Sequence, residues 1–189
     1  MIPEEIYKET LIQALKSIDN DWVDGDKELG RKKTVDIVNH TLKIAIEVKD
    51  DTKYKTIVPP RSGVMVTQSV DLTKMNQRFG DHVRSANNKF KEYQGYKTIL
   101  LFRTEFLTTD VIRYAVEGLH SYSKPKDCLV YIGRRGKYSK HNRQTIGCFV
   151  VINQEAHYFP NVFAEENRLL NKKEVEKIFG QSFKDVPAI

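Results

Sequence analysis

Residues 34–49, TVDIVNHTLKIAIEVK, constrain the fold more than any other stretch, because polar and apolar residues alternate through two runs parted by Asn39, His40 and Thr41. Side chains of a strand point alternately to its two faces. Leu42, Ile44, Ile46 and Val48 therefore face one way, and Lys43, Ala45, Glu47 and Lys49 the other. The pattern predicts strands over 34–38 and 42–48, paired as a β-hairpin, with Glu47 and Lys49 neighbours in space.

The charged face of this hairpin has the chemistry of a cation site. Asp36 and Glu47 can hold a hard divalent cation such as Mg²⁺ through oxygen ligands at about 2.0–2.1 Å, with water and a phosphate oxygen completing the shell. Lys49 would then lie against the water or the phosphate. An acid-x-Lys triplet is weak by itself in a chain with 30% charged residues, and Asp51-Thr52-Lys53 repeats the pattern at once. The turn decides the matter. A two-residue turn at Asn39 and His40 would leave Asp36 opposite Lys43, roughly 13 Å from Glu47. A four-residue turn would put Asp36 opposite Ala45 and diagonal to Glu47, at about 7–8 Å, which two carboxylates can bridge through a metal. A connection wider than two residues is therefore expected; a tight turn would make this an ordinary solvated hairpin face.

Residues 3–18 read as a helix with Tyr7, Leu11, Ala14, Leu15 and Ile18 on one face. At about 100° per residue Glu4 falls within that stripe, whereas Glu5 and Glu9 fall opposite. A carboxylate on a buried stripe calls for a partner, and a metal would supply one. Exposure at a frayed helix end is the alternative. Residues 19–33 read as a polar connection, since Asp21, Asp24 and Asp26 lack the spacing of an EF-hand calcium loop.

Downstream, residues 50–70 read as a long loop. Asp71 is placed to cap a long helix with the stripe Leu72, Met75, Phe79, Val83, Ala86, Phe90 and Tyr93, ending near Gly95. Arg84, Asn87 and Lys91 follow its polar edge. KTILLF, 97–102, reads as a buried strand, 109–119 as a helix, and 128–132, 145–152 and 157–159 as strands. A last helix spans 171–179 and stops at Gly180. Helices set between strands imply an α/β (α+β) fold, a central mixed sheet flanked by helices. One domain is expected over 1–189, with a core at 1–122 and a C-terminal antiparallel elaboration with its final helix at 123–189.

Lys and Arg outnumber Asp and Glu by 31 to 25, giving +6, which favours a polyanionic partner. Arg134, Arg135, Lys137, Lys140 and Arg143, with Tyr138 among them, read as an arm for a phosphate backbone; a solvated hairpin tip is the alternative. Lys53, Lys55 and Arg61 form a second basic group beside the hairpin. No apolar run approaches the about 18 residues of a membrane helix, and the N-terminal residues have no basic segment leading into an apolar one. A cytoplasmic protein, with no membrane partner, is expected. Cys128 and Cys148 read as buried and reduced. The five histidines have no clustered spacing, which disfavours a zinc site or a histidine base.

Over residues 3–102 the arrangement resembles the PD-(D/E)XK nuclease superfamily, the restriction-endonuclease-like fold. The resemblance rests on a helix bearing an acid, Val35-Asp36 on one strand, Glu47-Val48-Lys49 on the next, then a helix and KTILLF. Val35 stands where the name-giving proline would be. The resemblance implies a Mg²⁺-dependent endodeoxyribonuclease, with Mn²⁺ able to substitute, and a DNA substrate; backbone contact by the basic arm favours shape reading, as of branched or structured DNA, over sequence reading. It implies Asp36, Glu47 and Lys49 as catalytic residues and Asp36, Glu47 and Glu4 as metal ligands. The chain would work as a homodimer or within a larger nuclease complex. The competing expectation is a non-catalytic nucleic-acid-binding or assembly subunit of a restriction, recombination or repair complex on the same fold.

Overall fold

The computed structural model describes residues 4–29, 34–50, 72–104, 120–123, 128–131, 144–161 and 163–185. In chain order these form α1 (Glu4–Lys16), β1 (Trp22–Asp24), α2 (Gly25–Leu29), β2 (Ile37–Asn39), β3 (Ile44–Asp50), α3 (Leu72–Phe90) and β4 (Lys97–Arg103). There follow β5 (His120–Ser123), β6 (Cys128–Tyr131), β7 (Cys148–Asn153), β8 (Glu155–Pro160), a 3-10 turn at Glu166–Arg168, α4 (Lys172–Phe179) and β9 (Lys184–Asp185).

Seven strands make one mixed sheet in the order β1-β2-β3-β4-β7-β8-β9. The first three strands pair antiparallel, and α3 then carries the chain across so that β4 lies parallel to β3. A parallel neighbour requires such a crossover, because a hairpin turn can only reverse direction. β7 pairs parallel with β4 and antiparallel with β8, so the sheet runs on without a break past the expected boundary at residue 122. β5 and β6 form a separate antiparallel pair.

The alternation read from the hairpin sorts the two cores. Ile44, Ile46 and Val48 pack with Ile12, Leu15, Trp22, Val175 and Ile178 on the side of α1 and α4. Ala45 packs with Phe79, Val83, Ala86, Phe90 and Phe102 on the side of α3. The apolar stripe expected for the long helix is the one buried, from Phe79 onward. Asn171 and Glu174 form a reciprocal capping box at the start of α4, and Gly180 closes it in the left-handed conformation that glycine takes without strain.

Three expectations need correction. Residues 19–33 hold a strand and a short helix, because Trp22 is a core residue and draws β1 onto the sheet edge. The hairpin strands are Ile37–Asn39 and Ile44–Asp50, where 34–38 and 42–48 were expected, because the turn takes residues 40–43. Asn87 is not on a solvated edge; it is buried and bonded to Thr145. Of the loop expected at 50–70, Asp50 is the last residue of β3 and the rest lies outside the described residues, as do the helix at 109–119, the cap at Asp71 and the side chain of Cys128. Cys148 is a buried free thiol, its pKa pushed up by burial and then by Glu174. No helix among the described residues is long and apolar enough to cross a membrane.

Candidate metal centre

The turn is the wide one. Asn39 pairs with Ile44, so residues 40–43 form a four-residue connection, closed by a hydrogen bond from the Leu42 amide to Asn39 Oδ1 at 2.8 Å. The pairs Val38 with Ala45 and Ile37 with Ile46 follow, and continuing that register sets Asp36 directly opposite Glu47. This is closer than the diagonal placement expected, because the turn sits one residue later in the chain. Asp36 lies just before the first residue of β2, and its Oδ2 accepts from the Val48 amide at 2.8 Å. That bond ties the carboxylate to the strand bearing Glu47.

Glu47 is on a central strand, and its side chain is fully buried. Burial, then the charge of Asp36, push its pKa up to about 7, against the opposing pull of Lys49 and Lys89. Lys49 donates to Glu47 Oε1. A second lysine reaches the same carboxylate from α3: Lys89 Nζ lies 2.8 Å from Oε1 and 3.0 Å from Oε2. Burial lowers the Lys89 pKa, but Glu47, Asp36 and Asp26 outweigh it and the net shift is upward. His82, also on α3, has its pKa lowered to about 4 by burial, then by Lys49 and Arg78, so its ring is neutral at pH 7.

The first helix reaches this cluster through a different residue from the one expected. Glu4 is exposed at the first position of α1, because the buried face of the helix is set by Ile12 and Leu15 and leaves Ile18 outside. Lys8 lies one turn before Ile12 on that face. Its Nζ stands 3.5 Å from Asp36 Oδ1, 3.3 Å from Asp24 Oδ1 and 2.8 Å from Asp26 Oδ2. Asp24 ends β1 and accepts from the amides of Asp26 and Lys27, which caps α2; Asp26 accepts from the Thr34 hydroxyl at 2.7 Å. Gly25 permits this arrangement. A Cβ there would come within 2.3 Å of the Val35 carbonyl oxygen, while the Gly25 amide donates to the Asp36 carbonyl at 3.1 Å.

At the far end of β3 a separate pair lies on the α1 side. Arg103 binds Asp50, its partner across the parallel register, and stacks over the Tyr7 ring at 4.3 Å.

Of the residues picked from sequence, Asp36, Glu47 and Lys49 are brought together and Glu4 is not among them. Lys53, Lys55, Arg61, Arg134, Arg135, Lys137, Lys140 and Arg143 lie outside the described residues. Lys8, Lys89, Asp24 and Asp26 were missed. A charge on the true buried stripe of α1 was the available signal for Lys8.

The donor chemistry of Asp36 and Glu47 suits a hard divalent cation. Both are carboxylates, the β2–β3 register continued by one residue brings them together, and burial and then the charge of Asp36 raise the pKa of Glu47. Among the described residues no group of three or more His, Cys, Asp or Glu side chains is arranged to hold a metal, so a cation here would complete its shell with water or substrate. No family model, curated protein or solved structure matches the chain significantly.

Proposed function

We propose that this protein is a metal-dependent nuclease that hydrolyses DNA phosphodiester bonds at Asp36, Glu47 and Lys49, with the PD-(D/E)XK arrangement on a restriction-endonuclease-like core. The observation that carries the reading is that Asp36, just before β2, is bonded to the Val48 amide beside Glu47, while Lys49 donates to the Glu47 carboxylate. The element order supports it: an antiparallel β1-β2-β3 meander, then a helical crossover to parallel β4.

Asp36 and Glu47 are the residues that would hold Mg²⁺. When bound, Mg²⁺ supplies Lewis acidity toward the scissile phosphate and a nearby water. Asp36 is oriented for this by the Val48 amide, which fixes one of its oxygens. Lys49, mostly buried beside Glu47, can orient a water or offset charge growing on the phosphate. Glu47 is fully buried, so its carboxylate lies out of contact with bulk water. The net charge of +6 favours a polyanionic substrate.

A second reading is favoured by the lysines themselves. Lys8, Lys49 and Lys89 already neutralise most of the carboxylate charge, as they would in a binding or assembly subunit that keeps the acids for structure. Incubating the protein with supercoiled, branched and single-stranded DNA, with Mg²⁺ or with EDTA, separates the two. A nuclease cuts at least one form only with Mg²⁺; a binder retards DNA in a gel and cuts none.

A further inference from the structure

Each facing carboxylate is held by a lysine that arrives from a helix and not from the hairpin. Lys89 of α3 contacts both oxygens of Glu47, and Lys8 of α1 contacts Asp36 together with Asp24 and Asp26. Both side chains are mostly buried, at 20% and 15% exposure. Placing an ammonium there is costly, and a helix gains nothing from it that a solvated lysine would not give.

Glu47 is already paired with Lys49 from its own strand, so Lys89 is a second cation on one carboxylate. Counted together, the four carboxylates of Asp24, Asp26, Asp36 and Glu47 meet four ammoniums: Lys8, Lys49, Lys89 and, 3.9 Å from Asp24, the exposed Lys27. A divalent cation added to that set without any rearrangement would leave it with excess positive charge. A lysine on a flexible four-carbon stem can swing its ammonium out to water as the cation enters.

Resting on the metal-dependent reading above, we propose that Lys8 and Lys89 are built-in counter-ions that compete with a divalent cation for the oxygens of Asp36 and Glu47. They hold the carboxylates in place while no cation is bound, and they set how tightly the site takes one. If they were only structural ties, their removal would lower stability and leave cation affinity unchanged or weaker.

The test is the Mn²⁺ binding isotherm of the full chain, measured by calorimetry for the wild type and for Lys8→Met, Lys89→Met and Lys91→Met. Lys91 is exposed near the end of the same helix and bonds Asn88, so its variant controls for net charge. Lys89→Met and Lys8→Met should each bind Mn²⁺ about tenfold more tightly, with Lys91→Met unchanged. Unchanged or weaker affinity in Lys89→Met overturns the proposal; should that variant not fold, the same result in Lys8→Met does so. If no variant and no wild type binds Mn²⁺, both this proposal and the metal-dependent reading fall. Tighter binding by the variants of a protein that cuts no DNA upholds the counter-ions and removes the nuclease.

Discussion

Two polar networks tie α3 to the sheet, and they are satisfied in opposite ways. One is neutral: Asn87 Oδ1 accepts from the Thr145 amide at 3.1 Å and from its hydroxyl at 2.7 Å, the Thr98 hydroxyl donates to the Thr145 carbonyl at 2.6 Å, and the Gly147 amide donates to Thr98 Oγ1 at 2.8 Å. The other, two residues along the same helix, is ionic: Lys89 with Glu47, Lys49 and Asp36. In the neutral network donors meet acceptors at ordinary distances and no charge is buried. In the ionic one Glu47 keeps a pKa near 7 although two ammoniums touch it. A chain needing only to anchor α3 has a cheaper solution in hand at Asn87. Perturbed, buried charge of the second kind gathers where chemistry is done.

The contrast predicts that the networks fail differently. Lys49→Ala should cut Mg²⁺-dependent DNA cleavage by about 10³-fold or more while gel-shift affinity for DNA stays measurable. A variant that cuts as well as the wild type would place Lys49 with the structural network. Asn87→Ala should do the reverse. It strands the buried Thr145 amide, so chemical denaturation should show a loss of about 2 kcal/mol, with cleavage per folded molecule retained.

A smaller effect separates the networks by pH. The Glu47 carboxyl has its pKa raised from 4.5 to about 7 on folding, so the folded state holds a proton there that the unfolded state has lost. The stability Glu47 contributes is full below about 4.5 and is lost as pH rises through about 7. His82 has the opposite sign: its pKa falls from 6.5 to about 4, so its contribution is full above about 6.5 and is lost as pH falls toward 4. Between pH 4.5 and 6.5 the two slopes oppose each other. Without divalent cations, Glu47→Gln should leave the His82 slope alone, so the melting temperature of the variant climbs with pH across that window more steeply than that of the wild type. Parallel curves would show that Glu47 ionises normally. The neutral network has no group that titrates there, and Asn87→Ala should lower the whole curve without changing its slope.

Much of the site was written in the hairpin. Alternation assigned Glu47 and Lys49 to one face and Ile44, Ile46 and Val48 to the other, and the demand for a wide turn was met by residues 40–43. The register itself was less legible, because the two runs fix the face of each residue but not which residue opens the turn. The helical contributions were hidden for another reason. In α1, Tyr7 and Leu11 pack on the same core as Ile12 and Leu15 while Ile18 stays exposed, so the buried face is rotated toward Lys8 and away from Glu4, a choice made only by packing on the sheet. Lys89 sits at the edge of the α3 stripe, beside Phe90, where a lysine is ordinarily solvated. Asp24 and Asp26 resembled a polar turn because the strand that ends at Asp24 has three residues and the helix that carries Asp26 has five.

The central claim is that Asp36, set opposite Glu47, is part of a cation-dependent hydrolytic site. Its most direct test is the Mg²⁺-dependent cleavage rate of Asp36→Ala beside the wild type, on whichever DNA form the wild type cuts, at equal folded concentration. The account predicts cleavage by the wild type that EDTA abolishes and no detectable cleavage by the variant. Equal cleavage by the two proteins would contradict it.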